Sequence, residues 1–111
     1  MPDPKVDVLH GTLDVLILKT LSWGPAHGYA IAAHIKQRSG AAVLIEEGAL
    51  YPALHRLLRK KWVETEWGVS ENNRRARYYR LTAAGRQRLR VEVAAWTRYA
   101  AAVGKVLKPA R

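Results

Sequence analysis

Arginine and lysine side chains dominate the middle of this chain, and the chemistry they support is the binding of anions. Guanidinium groups present planar sets of donors to phosphate oxygens and to guanine edges. The 111 residues carry a formal net charge of +10, which attracts DNA, RNA or an anionic membrane unless the protein is merely basic and soluble. Three acids oppose the basic residues of the central stretch: Glu64, Glu66 and Glu71 stand against Arg56, Arg59, Lys60, Lys61, Arg74, Arg75, Arg77, Arg80, Arg86, Arg88 and Arg90.

Other kinds of chemistry find no support in the sequence. The chain has no cysteine, so it forms neither disulfides nor thiolate-ligated metal centres. Its four histidines show no metal-ligand grouping with acidic residues. It contains no nucleophile elbow, no phosphate-binding glycine loop and no paired carboxylate site. We therefore predict a protein that is not an enzyme and that binds no metal or other cofactor.

The length fits one compact domain with an appended helix. No run of about 18 or more apolar residues occurs, so no membrane span is predicted. Residues 1–4 lack the basic-then-apolar order of a secretory signal. We expect a cytoplasmic protein without membrane contact.

Apolar spacing predicts two helices ahead of the basic stretch. Leucine and isoleucine recur at helical intervals over residues 9–21, and a Gly-Pro pair ends that helix. A second helix is expected over residues 26–38, with Gly40 as its stop signal. The short apolar stretch at residues 42–45 is a candidate strand.

A third helix is expected over residues 48–61. It should begin near Ala49, because Pro52 fits best in a first turn. Leu50, Leu54 and Leu57 form its inner face. The outer and flanking positions suit the major groove of DNA, with the first residues near base edges and the last two near phosphates: Ala49, Tyr51, Pro52, His55, Arg56, Arg59 and Lys60. The alternative is an ordinary solvated helix face.

Two strands follow, over residues 62–67 and 76–82. Residues 68–75 between them are predicted to form an extended basic loop, too long for a tight hairpin. The composition is that of a DNA-contacting wing, with candidate contacts Asn72, Asn73, Arg74, Arg75, Arg77 and Tyr78. Arg77 and Arg80 fall on opposite faces of the strand, so both can meet DNA only if it twists or bulges. The alternative is a polar tip that only keeps the protein soluble.

The last helix is expected from about Ala83, with Thr82 as its N-cap. Its apolar residues follow a 4-3-4-3-4 spacing that needs a partner: Leu89, Val93, Trp96, Ala100, Val103 and Leu107. We interpret this seam as a homodimer interface. Trp96 is either a packed interface residue or, with its symmetry mate, the wall of a pore that stacks flat aromatic effectors.

These elements predict a mainly α fold with a small β-hairpin. Residues 1–82 would form a winged helix-turn-helix domain that binds DNA, and residues 83–111 a C-terminal dimerisation helix. Half-sites of the DNA would then be related by the twofold axis of the dimer.

Four sequence blocks resemble the PadR family of transcriptional regulators, and the resemblance extends from about Gly11 to Leu89, which is most of the chain. They are Gly11-Thr12-Leu13, Gly24-Pro25-Ala26-His27-Gly28-Tyr29, Glu47-Gly48-Ala49-Leu50-Tyr51-Pro52-Ala53-Leu54 and Arg77-Tyr78-Tyr79-Arg80-Leu81-Thr82-Ala83-Ala84-Gly85-Arg86. Residues 67–76 are similar to an acidobacterial-type subgroup. Ala49 departs from the family, which usually has a capping Ser or Thr there, a loss of about 1 kcal/mol in helix stability.

The resemblance implies a dimeric repressor that binds an inverted-repeat operator and is released by a small aromatic or drug-like effector. It implies a recognition helix around Tyr51, a wing over residues 73–77 and a short-form architecture with a single C-terminal helix. Trp96 then falls where short members line an interface pore. The alternatives are a non-sequence-specific nucleic-acid-binding protein and a ligand sensor that acts through protein partners.

Overall fold

The helices and strands follow the order of a winged helix-turn-helix. The computed structural model describes the backbone of residues 4–110 and the side chains of residues 12–46 and 48–110, so the first apolar positions predicted for helix one lie outside the described side chains. The predicted mainly helical class is confirmed. In chain order the elements are α1 (Pro4–Leu21), β1 (Ala26–His27), α2 (Gly28–Arg38), α3 (Glu47–Arg59), β2 (Val63–Val69), β3 (Arg75–Leu81) and α4 (Ala83–Leu107).

The sheet has three antiparallel strands in the order β1-β3-β2. β2 and β3 pair along their full length, from Val63 opposite Leu81 to Val69 opposite Arg75. Side chains alternate between the two faces of a strand, and Val63, Tyr79 and Leu81 are buried in the core. These three side chains therefore mark the face of the hairpin that packs on the helices.

The wing is tighter than predicted. Its strands reach Val69 and resume at Arg75, so the connection is residues 70–74 instead of 68–75. The Ser70 amide donates to the Arg74 carbonyl at 2.8 Å, and the Asn73 amide donates to the Ser70 carbonyl at 2.9 Å. Asn73 has a φ of 59°, a left-handed conformation that asparagine tolerates better than most residues. These contacts close a compact turn.

Two local predictions are wrong. Ala26 and His27 form β1 instead of the first turn of α2, because His27 is extended and its Nδ1 accepts a hydrogen bond from the Ala30 amide at 3.1 Å as an N-cap. Residues 42–45 form no strand. Val43 and Ile45 instead pack their side chains against the core, which accounts for the apolar pattern.

The start of α3 also differs from the prediction. The helix begins at Glu47, ahead of Ala49, and Pro52 consequently lies in its second turn. The Ala49 and Leu50 amides donate to the Glu46 carbonyl at 2.9 and 3.0 Å. Because proline has no N–H, the helix lacks the bond that residue 52 would otherwise make to the carbonyl four residues earlier.

The first turns of α4 belong to the core of the winged domain. Thr82 is the N-cap as predicted, since its Oγ1 accepts from the Gly85 amide at 3.0 Å. A Cβ at Gly85 would overlap the Trp62 carbonyl, so glycine is required for this close approach. Leu89 is buried in the hydrophobic core of its own chain. This corrects its predicted place in the dimer seam, because the side chain is already packed in the core of one chain.

Candidate nucleic-acid interface

The outer face of α3 is set by the burial of its inner face. Leu50, Leu54 and Leu57 are buried, as the helical spacing predicts. The orientation expected for most of the outer residues is confirmed, because the structure exposes Ala49, Tyr51, Pro52, His55, Arg59 and Lys60. Lys60 lies just after the helix, with its Nζ 4.7 Å from the centre of the Trp62 ring. The other five side chains form a continuous exposed surface on α3.

Arg56 departs from the predicted outward orientation. Its Nη2 donates to Asp14 Oδ1 at 2.9 Å, and the two side chains are only 27% and 23% exposed. The pair joins α3 to α1. Because a guanidinium carries five N–H donors, Arg56 keeps others that this contact does not use.

Tyr51 fixes the N-terminal half of α3 against the start of α2. Its hydroxyl lies 2.8 Å from the point that a Cβ at Gly28 would occupy, so a larger residue at 28 would displace it. Tyr51 is also close to Tyr79 on β3. Burial raises the pKa of Tyr79 above its ordinary value of 10.0, while Arg77 opposes and Tyr51 adds to the rise. The first turns of α3 thus lie directly beside the hairpin.

Two arginines of the wing share a face with the core residues of the hairpin. Arg75 and Arg77 have the same parity as buried Tyr79, and Arg77 pairs directly with Trp67 on β2. The Arg75 guanidinium carbon lies 4.6 Å from the centre of the Trp67 ring, within the range of a cation–π contact. Since Tyr79 adjoins Tyr51, this face of the wing continues from the N-terminal half of α3.

Arg80 lies on the opposite face, as its strand parity predicts. Its Nε donates to Glu64 Oε1 at 2.9 Å, and its Nη1 lies 3.6 Å from Glu66 Oε1. These contacts compensate the charge of Arg80 on the side of the hairpin away from the core. Glu64 and Glu66 therefore neutralise Arg80 and not Arg75 or Arg77, whose side chains lie on the other face.

Two predicted wing contacts have roles inside the hairpin. The Tyr78 hydroxyl donates to the Val69 carbonyl at 3.1 Å, and its ring lies over Gly68 on the outer face. Asn73 occupies the left-handed turn position. Asn72 and Arg74 are exposed, as expected of residues at the tip. The tip therefore carries a residue that shapes the turn, Asn73, between two exposed side chains that can contact DNA.

A cavity of about 570 Å³ separates α2 from the wing. Its lining includes Tyr29, His34, Asn72, Arg74 and Arg75. Tyr29 is 79% exposed at the start of α2. Sequence reasoning missed both Tyr29 and Trp67 as surface residues, although an aromatic just after a glycine at a helix start was an available signal for Tyr29.

The remainder of α4 carries an apolar stripe that one chain leaves open. Val93 and Trp96 are each 42% exposed and Leu107 is 76% exposed, whereas Val103 is half-buried. Ala100 is exposed between them. Trp96 lies beside Tyr99, with ring centres 5.9 Å apart. From Val93 onward the apolar side chains of the predicted seam thus remain exposed or partly exposed in one chain, whereas Leu89 does not.

No helix in the described part of the chain is long and apolar enough to cross a membrane. Over the same residues, no group of three or more histidine, aspartate or glutamate side chains is arranged to hold a metal ion.

Known proteins share both the sequence pattern and the fold. Uncharacterized protein X from Lysinibacillus sphaericus is 31% identical over 90 residues, covering 81% of this chain and 83% of that protein. A transcriptional regulator from Clostridium thermocellum superposes with a TM-score of 0.83 at 29% identity, over 92% of this chain and 99% of that one. A PadR-like transcriptional regulator from Bacillus cereus gives a TM-score of 0.78 at 25% identity, over 93% and 98% of the two chains.

The model of the transcriptional regulator PadR-like family matches residues 17–91, from the core of α1 into α4. This range includes α3, the whole wing and the glycine at the root of α4. The chain therefore belongs to the PadR-like family of transcriptional regulators, which are DNA-binding proteins and not enzymes.

Proposed function

We propose that this protein represses transcription as a homodimer bound to an inverted-repeat operator. Each subunit inserts α3 into a major groove and extends its wing along the flanking minor groove. One observation carries the proposal: through Tyr51 and Tyr79, the exposed residues of α3 adjoin the face of the wing that bears Arg75 and Arg77. The basic side chains of α3 and those of the wing would then form one DNA-binding surface.

The roles divide by position. Ala49, Tyr51, Pro52 and His55 on the first turns of α3 meet base edges, and the basic side chains after them meet phosphates. Arg56 approaches the backbone while Asp14 holds it. Wing contacts come from Asn72, Arg74, Arg75 and Arg77, whereas Asn73 and Tyr78 shape the hairpin that carries them.

Tyr29 joins this set as a phosphate contact. It is exposed, it lies at the N-terminus of α2, and it lines the same cavity as Arg74 and Arg75. Amides at a helix N-terminus also favour a phosphate there. A DNA strand passing between the wing and α2 would meet all three side chains.

Dimerisation buries the stripe of α4. Val93, Trp96, Ala100, Val103 and Leu107 are too apolar to remain in water on a regulator of this size, and pairing of two such helices removes them from solvent. Residues 83–111 then serve as the dimerisation helix, with its first turns shared with the DNA-binding domain. A pair of Trp96 side chains offers flat apolar walls for an aromatic effector, whose binding would alter the spacing of the two α3 helices.

The proposal also covers the subgroup of the family and the location of the protein in the cell. Residues 67–76 favour the acidobacterial-type subgroup, because the wing sequence is the part that resembles it. A repressor of this kind works in the cytoplasm, where the operator is found.

Selection of bound sequences from a random duplex pool tests the proposal. We expect recovered sequences with twofold symmetry, bound much more tightly than random duplex or RNA in competition. Equal affinity for random duplex and RNA would identify a non-specific nucleic-acid-binding protein instead. Absence of duplex binding at low salt would leave a ligand sensor that acts through protein partners. Light scattering on the same preparation measures the oligomeric state.

A further inference from the structure

The wing carries two large apolar side chains in water. Trp67 is 60% exposed and Val69 is 66% exposed. Both alternate onto the face of the hairpin that also bears Arg75 and Arg77. Nearer the root of the hairpin, the same face is occupied by buried Tyr79. An apolar pair flanked by two guanidiniums has no function in the core of the chain.

The orientation of Trp67 is fixed from two sides. Arg77 is its direct partner across the ladder, and Arg75 stacks 4.6 Å from its ring centre. The turn bonds between Ser70 and Arg74 hold the tip that follows. The orientation of the exposed Trp67 indole is therefore fixed, on the same face of the hairpin as Tyr79, which adjoins Tyr51 of α3.

We propose that Trp67 enters the minor groove beside the α3 site and acts as its specificity-determining residue, with Val69 against the sugar wall. The inference rests on the proposed function. Apolar side chains that enter this groove press on its walls and base steps, and flanking guanidiniums meet its phosphates. Charge complementarity selects DNA over a second copy of this protein, since that copy also carries +10.

An indole in the minor groove would make binding by the wing sensitive to the 2-amino group of guanine. Guanine places its 2-amino group on the floor of this groove, and A·T pairs have no amino group at that position. Trp67 thus disfavours G·C pairs under the wing, although neither arginine needs to contact a base. Inosine·C pairs, which lack the amino group, test this point without changing the major groove.

The experiment uses the full chain and a duplex recovered from the random pool, with A·T, G·C or I·C pairs in the wing flank. We expect the parent to bind the G·C flank several-fold more weakly than the other two. Trp67→Leu should bind the A·T duplex roughly tenfold more weakly, the size expected for losing part of the contact area of one buried aromatic side chain, and should lose the discrimination. Trp23→Leu is the matched control, because Trp23 is also an exposed tryptophan with two stacked cations but lies in the turn after α1, outside the hairpin.

Fluorine NMR of 5-fluorotryptophan-labelled protein gives a second readout in the unmutated chain. The resonance of Trp67 should shift on adding the duplex, while that of Trp23 stays in place. A parent that binds the duplex with an unmoved Trp67 resonance, or a Trp67→Leu variant that keeps the flank pattern, overturns this inference alone. A parent that binds no duplex overturns the proposed function together with it.

Discussion

Arg56 on α3 donates a hydrogen bond to Asp14 on α1, so an ion pair within the chain ties the helix expected to meet DNA to the first helix of the fold. The pair sits at the surface of the core and is partly shielded from water. It holds one arginine in place before any phosphate arrives, and this reduces the side-chain entropy lost when the arginine binds.

The first prediction concerns this pair. Asp14→Ala and Arg56→Ala should each lower the free energy of unfolding by about 1 kcal/mol, with a coupling of about 0.5 kcal/mol in the double-mutant cycle. Urea unfolding measures both quantities. Operator binding should fall more in Arg56→Ala than in Asp14→Ala, because only the former removes the donors that reach DNA. Equal losses would mean that Arg56 acts only through Asp14.

The second prediction separates wing arginines by the face they occupy. Arg77→Ala should reduce the slope of log affinity against log salt by about 0.9, the value for one lost phosphate contact. Arg80→Ala is the control, because Glu64 and Glu66 already engage that guanidinium on the outer face. A gel-shift series over salt measures the slopes. If Arg80→Ala lowers the slope as much as Arg77→Ala, the assignment of the two faces is wrong.

The third prediction tests whether Asn73 is a turn residue. Its φ of 59° suits glycine and strains β-branched residues. Asn73→Gly should keep both thermal stability and duplex affinity, whereas Asn73→Val should lower stability by about 1–2 kcal/mol. Thermal unfolding and the salt series provide the measurements. A loss of affinity in Asn73→Gly would show that the amide itself contacts DNA.

The fourth prediction compares two glycines of α4. Gly85→Ala should lower stability by about 2–3 kcal/mol, because the new methyl group meets the Trp62 carbonyl at the root of the helix. Gly104→Ala has open space around it in one chain and should raise helix stability by about 0.5–1 kcal/mol. Chemical denaturation distinguishes the two. Similar behaviour of both variants would contradict the close approach at Gly85.

The fifth prediction concerns dimerisation. Trp96→Glu should convert a dimer into a monomer, because it puts a charge into the stripe that pairing buries. Val91→Glu adds the same charge at an exposed position on the other side of α4 and should remain dimeric. Analytical ultracentrifugation measures both variants. A dimeric Trp96→Glu protein would place the interface elsewhere.

Local signals allowed much of the fold to be predicted. The leucine spacing of α3 and the threonine cap of α4 act within a few residues, and both are confirmed. The antiparallel hairpin followed from β-branched and aromatic composition. The extended loop was wrong because the turn depends on backbone hydrogen bonds and on the left-handed Asn73, which composition does not specify.

The remaining differences depend on contacts between distant residues. The inward pull on Arg56 comes from an acid 42 positions earlier in the chain. Leu89 fits the heptad spacing equally well whether it faces a partner or its own core, and only the packing of α4 on α1 decides. Trp67 looked like any strand aromatic, because exposure depends on how far the hairpin extends beyond the helices.

The backbone of Gly85 approaches the Trp62 carbonyl too closely for any side chain between them, so the base of α4 is packed tightly on the winged domain. A helix of 25 residues is about 37 Å long, so a tilt of about 5° at its base would sweep the far end through roughly 3 Å. Because its first turns are packed in this way, α4 extends from the winged domain as one rigid helix. In the proposed dimer, the distance and angle between the two DNA-binding domains would be set by where the two α4 helices cross, and any adjustment to operators of different length would come from the part of α4 beyond the core.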